Sequence, residues 1–248
     1  MKELSHKIII FVAQNLTIMK RISLIISLVA LFALNVNAQQ GSNQFGLKVG
    51  PNFGWASSAN SAGKGNGAQL GLSMGAFVDH YFTSHMALSV GLNFNLTRMK
   101  YQFTDYREMS GFIVPYNVTV DRKYKGSYLD LPIKLKAKFN IVDSWNAFAE
   151  AGVGVGVNLA SQGKDKYEFY GASYEDEQFV DCSSEYRRLQ ASLHFGIGAE
   201  YELSSSMNVF AQLTFRHALS NMFTRDLFLQ TNSNLKANYI GLEIGILL

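Results

Sequence analysis

From Gln44 onward, apolar side chains recur at every second position, and this period of two is the feature that most limits what the chain can fold into. The segment 129–139 carries it most sharply: Leu129, Leu131, Ile133, Leu135, Ala137 and Phe139 alternate with Asp130, Lys134, Lys136 and Lys138. A period of two places alternate side chains on opposite faces of a strand, whereas a helix would need 3.6. Similar runs fall at 45–55, 69–80, 86–97, 145–159, 189–201, 207–216 and 240–246. With the first they make about eight strands, each long enough to cross a hydrocarbon core at a tilt.

Alternation alone does not say which face is inside. A soluble barrel of lipocalin type alternates as well, with its apolar face inward. Here the apolar faces run for several residues without a charge, which a water-facing surface would not need. The opposite faces mix Gly, Ser and Asn with charges of both signs, as the cramped interior of a small barrel requires. Aromatic residues gather near strand ends, among them Trp55, Tyr81, Phe82, Tyr101, Phe103, Tyr128, Phe139, Trp145 and Tyr201, where interfacial girdles lie. The links at 82–85, 140–144 and 203–206 are short, while those at 56–68, 104–126, 161–185 and 218–236 are long. Short and long links in alternation are the periplasmic turns and extracellular loops of an outer-membrane barrel. The expected fold is an all-β, closed, antiparallel up-and-down transmembrane barrel of about eight strands, acting as a monomer in the lipid of the cell outer membrane.

The N-terminus agrees with export. Lys20 and Arg21 precede the apolar run 22–36, and Val36-Asn37-Ala38 offers small residues where a signal peptidase cuts. The run falls short of the roughly 20 residues of a spanning helix. The expected division is therefore 1–18 as an upstream extension, with Met19 as the start, 19–38 as a signal peptide and 39–248 as the barrel. Lys and Arg number 22 against 19 Asp and Glu, so no basic nucleic-acid surface is implied. The one cysteine, Cys182, has no partner for an internal disulfide.

Phe45-Gly46-Leu47-Lys48-Val49-Gly50-Pro51-Asn52 and Tyr128-Leu129-Asp130-Leu131-Pro132-Ile133-Lys134-Leu135-Lys136 resemble strands of the outer membrane protein beta-barrel domain proteins. These are the PorT-like or porin-family proteins of Bacteroidetes. The resemblance spans about 39–248 and implies an OmpA-like or OmpX-like barrel, usually without an assigned activity. PorT itself is associated with type IX protein secretion. The chain ends Ile246-Leu247-Leu248, a departure from the terminal aromatic usual in such barrels.

Three functional classes follow. The interior charges Lys48, Lys134, Lys136, Lys138, Arg188 and Arg216 can face Asp79, Asp130, Glu150, Glu200 and Glu243 across the lumen. Buried charges are costly unless paired, which favours a salt-bridged plug over an ion path. The leading expectation is a non-catalytic structural or interaction protein: envelope integrity, surface contact or accessory work in secretion. A small-solute porin comes second. A lipid-modifying enzyme comes third, because only His217 with Ser220 and Asp226 offers a base near the outer rim, and no spacing forces them together; His194 reads as an interior hydrogen-bonder. No catalytic, metal or cofactor residue is assigned. Gly152, Gly154 and Gly156 lack the spacing and the following helix of a nucleotide-binding loop and mark a tight lumen instead. Phe112, Tyr116, Tyr167, Tyr170 and Tyr174 lie in long links where exposed aromatics can hold protein or glycan partners. Those same segments are rich in β-formers and can equally extend the barrel above the membrane.

Overall fold

The computed structural model describes residues 43–58, 63–107, 116–169, 171–224 and 234–248. The expected upstream extension and signal peptide lie outside them. Ten strands form one antiparallel sheet: β1 (Asn43–Ser58), β2 (Gly63–Tyr81), β3 (Met86–Arg107), β4 (Tyr116–Val142), β5 (Trp145–Phe169), β6 (Ala172–Glu175), β7 (Val180–Asp181), β8 (Leu189–Ser204), β9 (Met207–Ala218) and β10 (Leu235–Leu247). Eight of them close a barrel in the order β4-β3-β2-β1-β10-β9-β8-β5, with β5 returning to β4; β6 and β7 are short additions along β5. Closure leaves no edge for lipid to meet unpaired.

The faces sort as the alternation requires. Leu131, Ile133, Leu135, Val153, Val155, Ile197, Leu213, Leu242 and Ile244 are exposed on the outside, while Lys48, Asp79, Asp130, Lys134, Lys136, Glu200, Arg216 and Glu243 are buried within. Leu135 is 48% exposed and its neighbour Lys136 is 2% exposed. A water-soluble protein has the reverse arrangement, so lipid is the solvent this exterior suits. Among the described residues no helix is long and apolar enough to cross a membrane.

One end of the barrel has tight turns. Asp143 and Ser144 join β4 to β5, and Asp143 takes φ 33°, a left-handed value that Asp tolerates better than most residues. Ser205 and Ser206 join β8 to β9. Between β2 and β3 the Thr83 hydroxyl accepts from the Met86 N–H at 2.9 Å. Two prolines interrupt the ladders where an N–H is missing: β1–β10 pairing skips from Val49 to Asn52, and β3–β4 pairing skips from Val90 to Asn93.

At the other end the strands outrun the membrane. β3 and β4 stay paired out to Arg107 and Tyr116, and β4 and β5 out to Val120 and Tyr167. Much of the expected long links at 104–126 and 161–185 is therefore strand, the second of the two readings of those segments, and the link expected at 56–68 is strand at both its ends. The cause is mutual: each extended strand supplies the ladder partner of the next. A bulge at Leu159, between Tyr128↔Asn158 and Ser127↔Ala160, reverses the phase of β5 as it leaves the membrane. Residues 145–158 bury even positions, whereas Ser161, Gly163 and Asp165 are buried beyond it.

Candidate functional site

The lumen gathers the buried charges of the membrane-spanning strands, between an aromatic cluster at either end. At the short-turn end Phe77, Phe148, Phe210 and Leu247 pack together, with Phe77–Phe210 and Phe148–Phe210 edge to face at 5.7 and 6.2 Å. A Cβ at Gly46, Gly198 or Gly245 would overlap the ring of Phe77, Phe148 or Phe210 respectively. Glycine on the inner face is what lets three large rings share so narrow a bore.

Ion pairs occupy the middle. Lys48 Nζ lies 2.9 Å from Glu243 Oε2, and Gln212 donates to the same oxygen at 2.5 Å. Lys134 pairs with Glu150. Lys136 pairs with Asp79 at 2.7 Å and with Glu200, whose other oxygen meets Lys138 at 3.0 Å. Lys136 also stands 4.5 Å above the Phe148 ring. Arg216 Nη2 reaches Asp130 Oδ1 at 3.2 Å, and Asn95 donates to the other Asp130 oxygen at 2.7 Å. Ten of the eleven predicted lumen residues are thus brought together. Arg188 is not: it is exposed at the bend before β8 begins at Leu189. Strand parity would turn it inward; its carbonyl still accepts from the Asn158 N–H at 2.8 Å, but the chain bends here and the side chain is exposed. His194 is buried, with Nε2 2.9 Å from the Ser192 hydroxyl.

The extended end closes over aromatic residues. Met99, Tyr101, Phe103, Tyr124, Tyr128, Tyr186, Met222, Phe223 and Leu235 are buried in one cluster. Tyr186 and Phe223 pair as an isolated bridge, the Arg187 N–H donates to the Met222 carbonyl and the Met222 N–H to that of Leu235, each at 2.8 Å. These bonds fold the chain after β7 and after β9 over the mouth. A feature beyond the sequence expectations lies beneath them. Arg122 donates from Nε and Nη2 to the two Asp165 oxygens at 2.6 and 2.7 Å, and from Nη1 to Glu185 and, at 3.2 Å, to Tyr186 Oη. This planar, bidentate fork ties β4, β5 and the 183–185 turn into one piece. Burial pushes the nearby Cys182 thiol up to about 12.

The predicted loop aromatics fare differently. Tyr167 and Tyr174 stack face to face at 5.3 Å across the β5–β6 hairpin. Tyr116 opens β4 opposite Arg107, and Phe112 and Tyr170 lie outside the described residues. Of the residues considered for catalysis, His217 stacks on Phe215 at 6.4 Å on the outer face, the Ser220 hydroxyl is taken by the Ala191 N–H at 3.1 Å, and Asp226 lies outside the described residues. Among the described residues, His217 and Ser220 build no arrangement of nucleophile, base and oxyanion donors.

The family model described as "outer membrane protein beta-barrel domain" matches residues 37–224. A search of the curated proteins returns no match. Solved structures similar to the chain include Neisserial surface protein A, at 9% identity over 81% of this chain and 95% of that one with a TM-score of 0.39. The attachment invasion locus protein Ail of Yersinia pestis is similar at 15% identity over 85% and 100%, TM-score 0.35. The outer membrane protease OmpT of Escherichia coli is similar at 6% over 85% and 98%, TM-score 0.37. None of these likenesses assigns the chain an activity.

Proposed function

The chain belongs to the outer membrane protein beta-barrel domain family, and from that premise we propose that it serves the outer membrane as a non-catalytic, non-conducting barrel that works through its outer surfaces. The observation that carries this reading is the lumen. Three successive layers of side chains occupy it, and they support this reading: the phenylalanine cluster, the ion pairs and the tyrosine-rich mouth. Eight strands leave an interior only just wide enough for side chains, and here large ones fill it. What remains available to other molecules is the lipid-facing exterior and the strand extension above it. Envelope integrity or surface contact fits such a body. An accessory role at the secretion apparatus, as the PorT-like resemblance implies, would act through the same extension.

Proteoliposome swelling tests the closed lumen with neutral solutes. Liposomes carrying the folded protein should swell in arabinose no faster than empty ones. Swelling that scales with protein content would favour the porin reading over this one.

A further inference from the structure

The outer face of one flank changes character abruptly. On β3 the outward side chains run Leu88, Val90, Leu92, Phe94 and Leu96, then Arg98 and Lys100. On β4, read toward the same end, Ile133, Leu131 and Leu129 give way to Lys125 and Lys123. On β5 the change comes after Leu159, at Lys164 and Lys166, and Lys64 stands at the matching end of β2. The eight steps from Leu88 to Leu96 rise about 21 Å along the barrel axis, at roughly 3.4 Å per residue and a tilt of about 40°. That is close to the ~25 Å apolar band of such barrels, so the cations begin where acyl chains end.

Their pairing is unusual. Arg98 lies opposite Lys125, and Lys100, Lys123 and Lys164 lie opposite one another in a row across three strands. Directly opposed residues stand about 5 Å apart at Cβ, where like charges destabilise a sheet. Seven cations on this flank (Lys64, Arg98, Lys100, Lys123, Lys125, Lys164, Lys166) face six acids on its described residues, Asp121, Glu168, Glu175, Asp176, Glu177 and Asp181, of which Asp176 accepts from the Asp165 N–H and Asp181 from the Ser183 N–H. Glu175 bridges Lys123 at 3.4 Å and Lys164 at 3.3 Å, while Asp121 accepts from Asn66 at 2.8 Å. Lys100 has no acidic partner among the described residues. A cleft of about 160 Å³ opens between Asn66, Lys100, Lys123, Lys164, Lys166 and Glu175. Along β9 and β10 the outer face is plainer: above Phe215 and Ile240 come His217, Leu219 and Lys236, with Arg188 exposed at the bend before β8.

We propose that this basic row binds the phosphates of phosphorylated lipid headgroups in the outer leaflet. The lysines share strand faces with the lipid-contacting residues, four to seven residues beyond them, and Arg98 stands two beyond Leu96. A ligand meeting both is a lipid, acyl chains on the belt and phosphates on the row. Bound anions would also relieve the repulsion that the row otherwise holds. The inference rests on the outer-membrane placement and is independent of whether the lumen conducts.

Native mass spectrometry of the folded chain in dodecyl maltoside tests it, with diphosphorylated lipid A and its dephosphorylated counterpart as probes. The phosphorylated lipid should bind, and K100Q/K123Q/K164Q should weaken it roughly hundredfold, at about fivefold per lysine near a charged lipid surface. The phosphate-free lipid should be indifferent to the substitutions, and K236Q should leave binding of both unchanged. Should the triple variant fail to fold, K100Q alone decides, because it breaks no ion pair; it should bind about fivefold more weakly. Equal binding of both lipids, unchanged binding by the variants, or pyrophosphate or heparin binding as tightly as the lipid would each overturn the proposal. The last would make the row a site for soluble anions.

Discussion

Replacing Lys136 by Met is expected to destabilise the barrel by about 3–5 kcal/mol, the penalty for stranding a buried charge. Lys136 is the only cation that reaches Asp79 among the described residues, and both Asp79 and Glu200 are fully buried. Without it Asp79 keeps its burial and loses its counter-charge, while Glu200 retains Lys138 alone. The loss should therefore exceed the net worth of the pair, because removing one partner is far costlier than replacing both. D79N added to K136M should recover part of the loss. Urea titration in lipid vesicles, followed by the mobility of the folded band in gels, measures both. At a slope of about 2 kcal/mol per M the midpoint should fall by roughly 2 M. A shift below a few tenths of a molar would mean that water reaches these carboxylates and the lumen is looser than described here.

The second large effect is expected at the mouth. Arg122→Met removes the fork that holds Asp165, Glu185 and Tyr186, leaving the buried Asp165 carboxylate without it. Cys182, three residues before Glu185, reports the consequence. It is buried, and its N–H donates to the Ser161 carbonyl at 3.0 Å. With its thiol pushed up to about 12 by burial, the nucleophilic thiolate is scarce near neutral pH, and alkylation must wait for the segment to open. A loss of about 3 kcal/mol in local stability corresponds to roughly hundredfold faster opening-limited labelling. Maleimide kinetics on the folded protein should show that acceleration in R122M and not in K236Q. Equal rates would mean that the aromatic cluster holds the mouth shut without the arginine.

The barrel was legible because a bilayer and a narrow lumen both act on every second residue. The strand 129–139 shows this directly, since one phase has no charge and the other carries Asp130 and three lysines. Ten of the eleven lumen residues followed from phase alone. Arg188 did not, since parity holds only along an unbent strand, and the chain bends at Arg188, one residue before β8 begins. Arg122 was readable in principle. Carrying the β4 phase backward from Asp130 through Tyr128, Gly126 and Tyr124 arrives at it, but polar and charged neighbours make that stretch look like a loop. Its partner Asp165 was not readable, because the bulge at Leu159 reverses the phase of β5 before Asp165 is reached. The phenylalanines of the lumen were hidden for another reason. Phe77, Phe148 and Phe210 break the polar pattern of the inner face, and they fit only because glycines on neighbouring strands leave room for them.

The basic row is not legible in the sequence, because legibility there depends on strand register. Lys100, Lys123 and Lys164 are far apart along the chain, and only the pairing of β3, β4 and β5 lines them up.

Single-channel recording of the folded chain in a planar bilayer tests the closed lumen most directly. The phenylalanine cluster, the ion pairs and the covered mouth predict a silent bilayer across applied voltages, with insertion verified independently by protease protection. Reproducible unitary steps, altered by substitution of Lys134 or Lys136, would contradict the account and make the lumen lysines the lining of a path for ions.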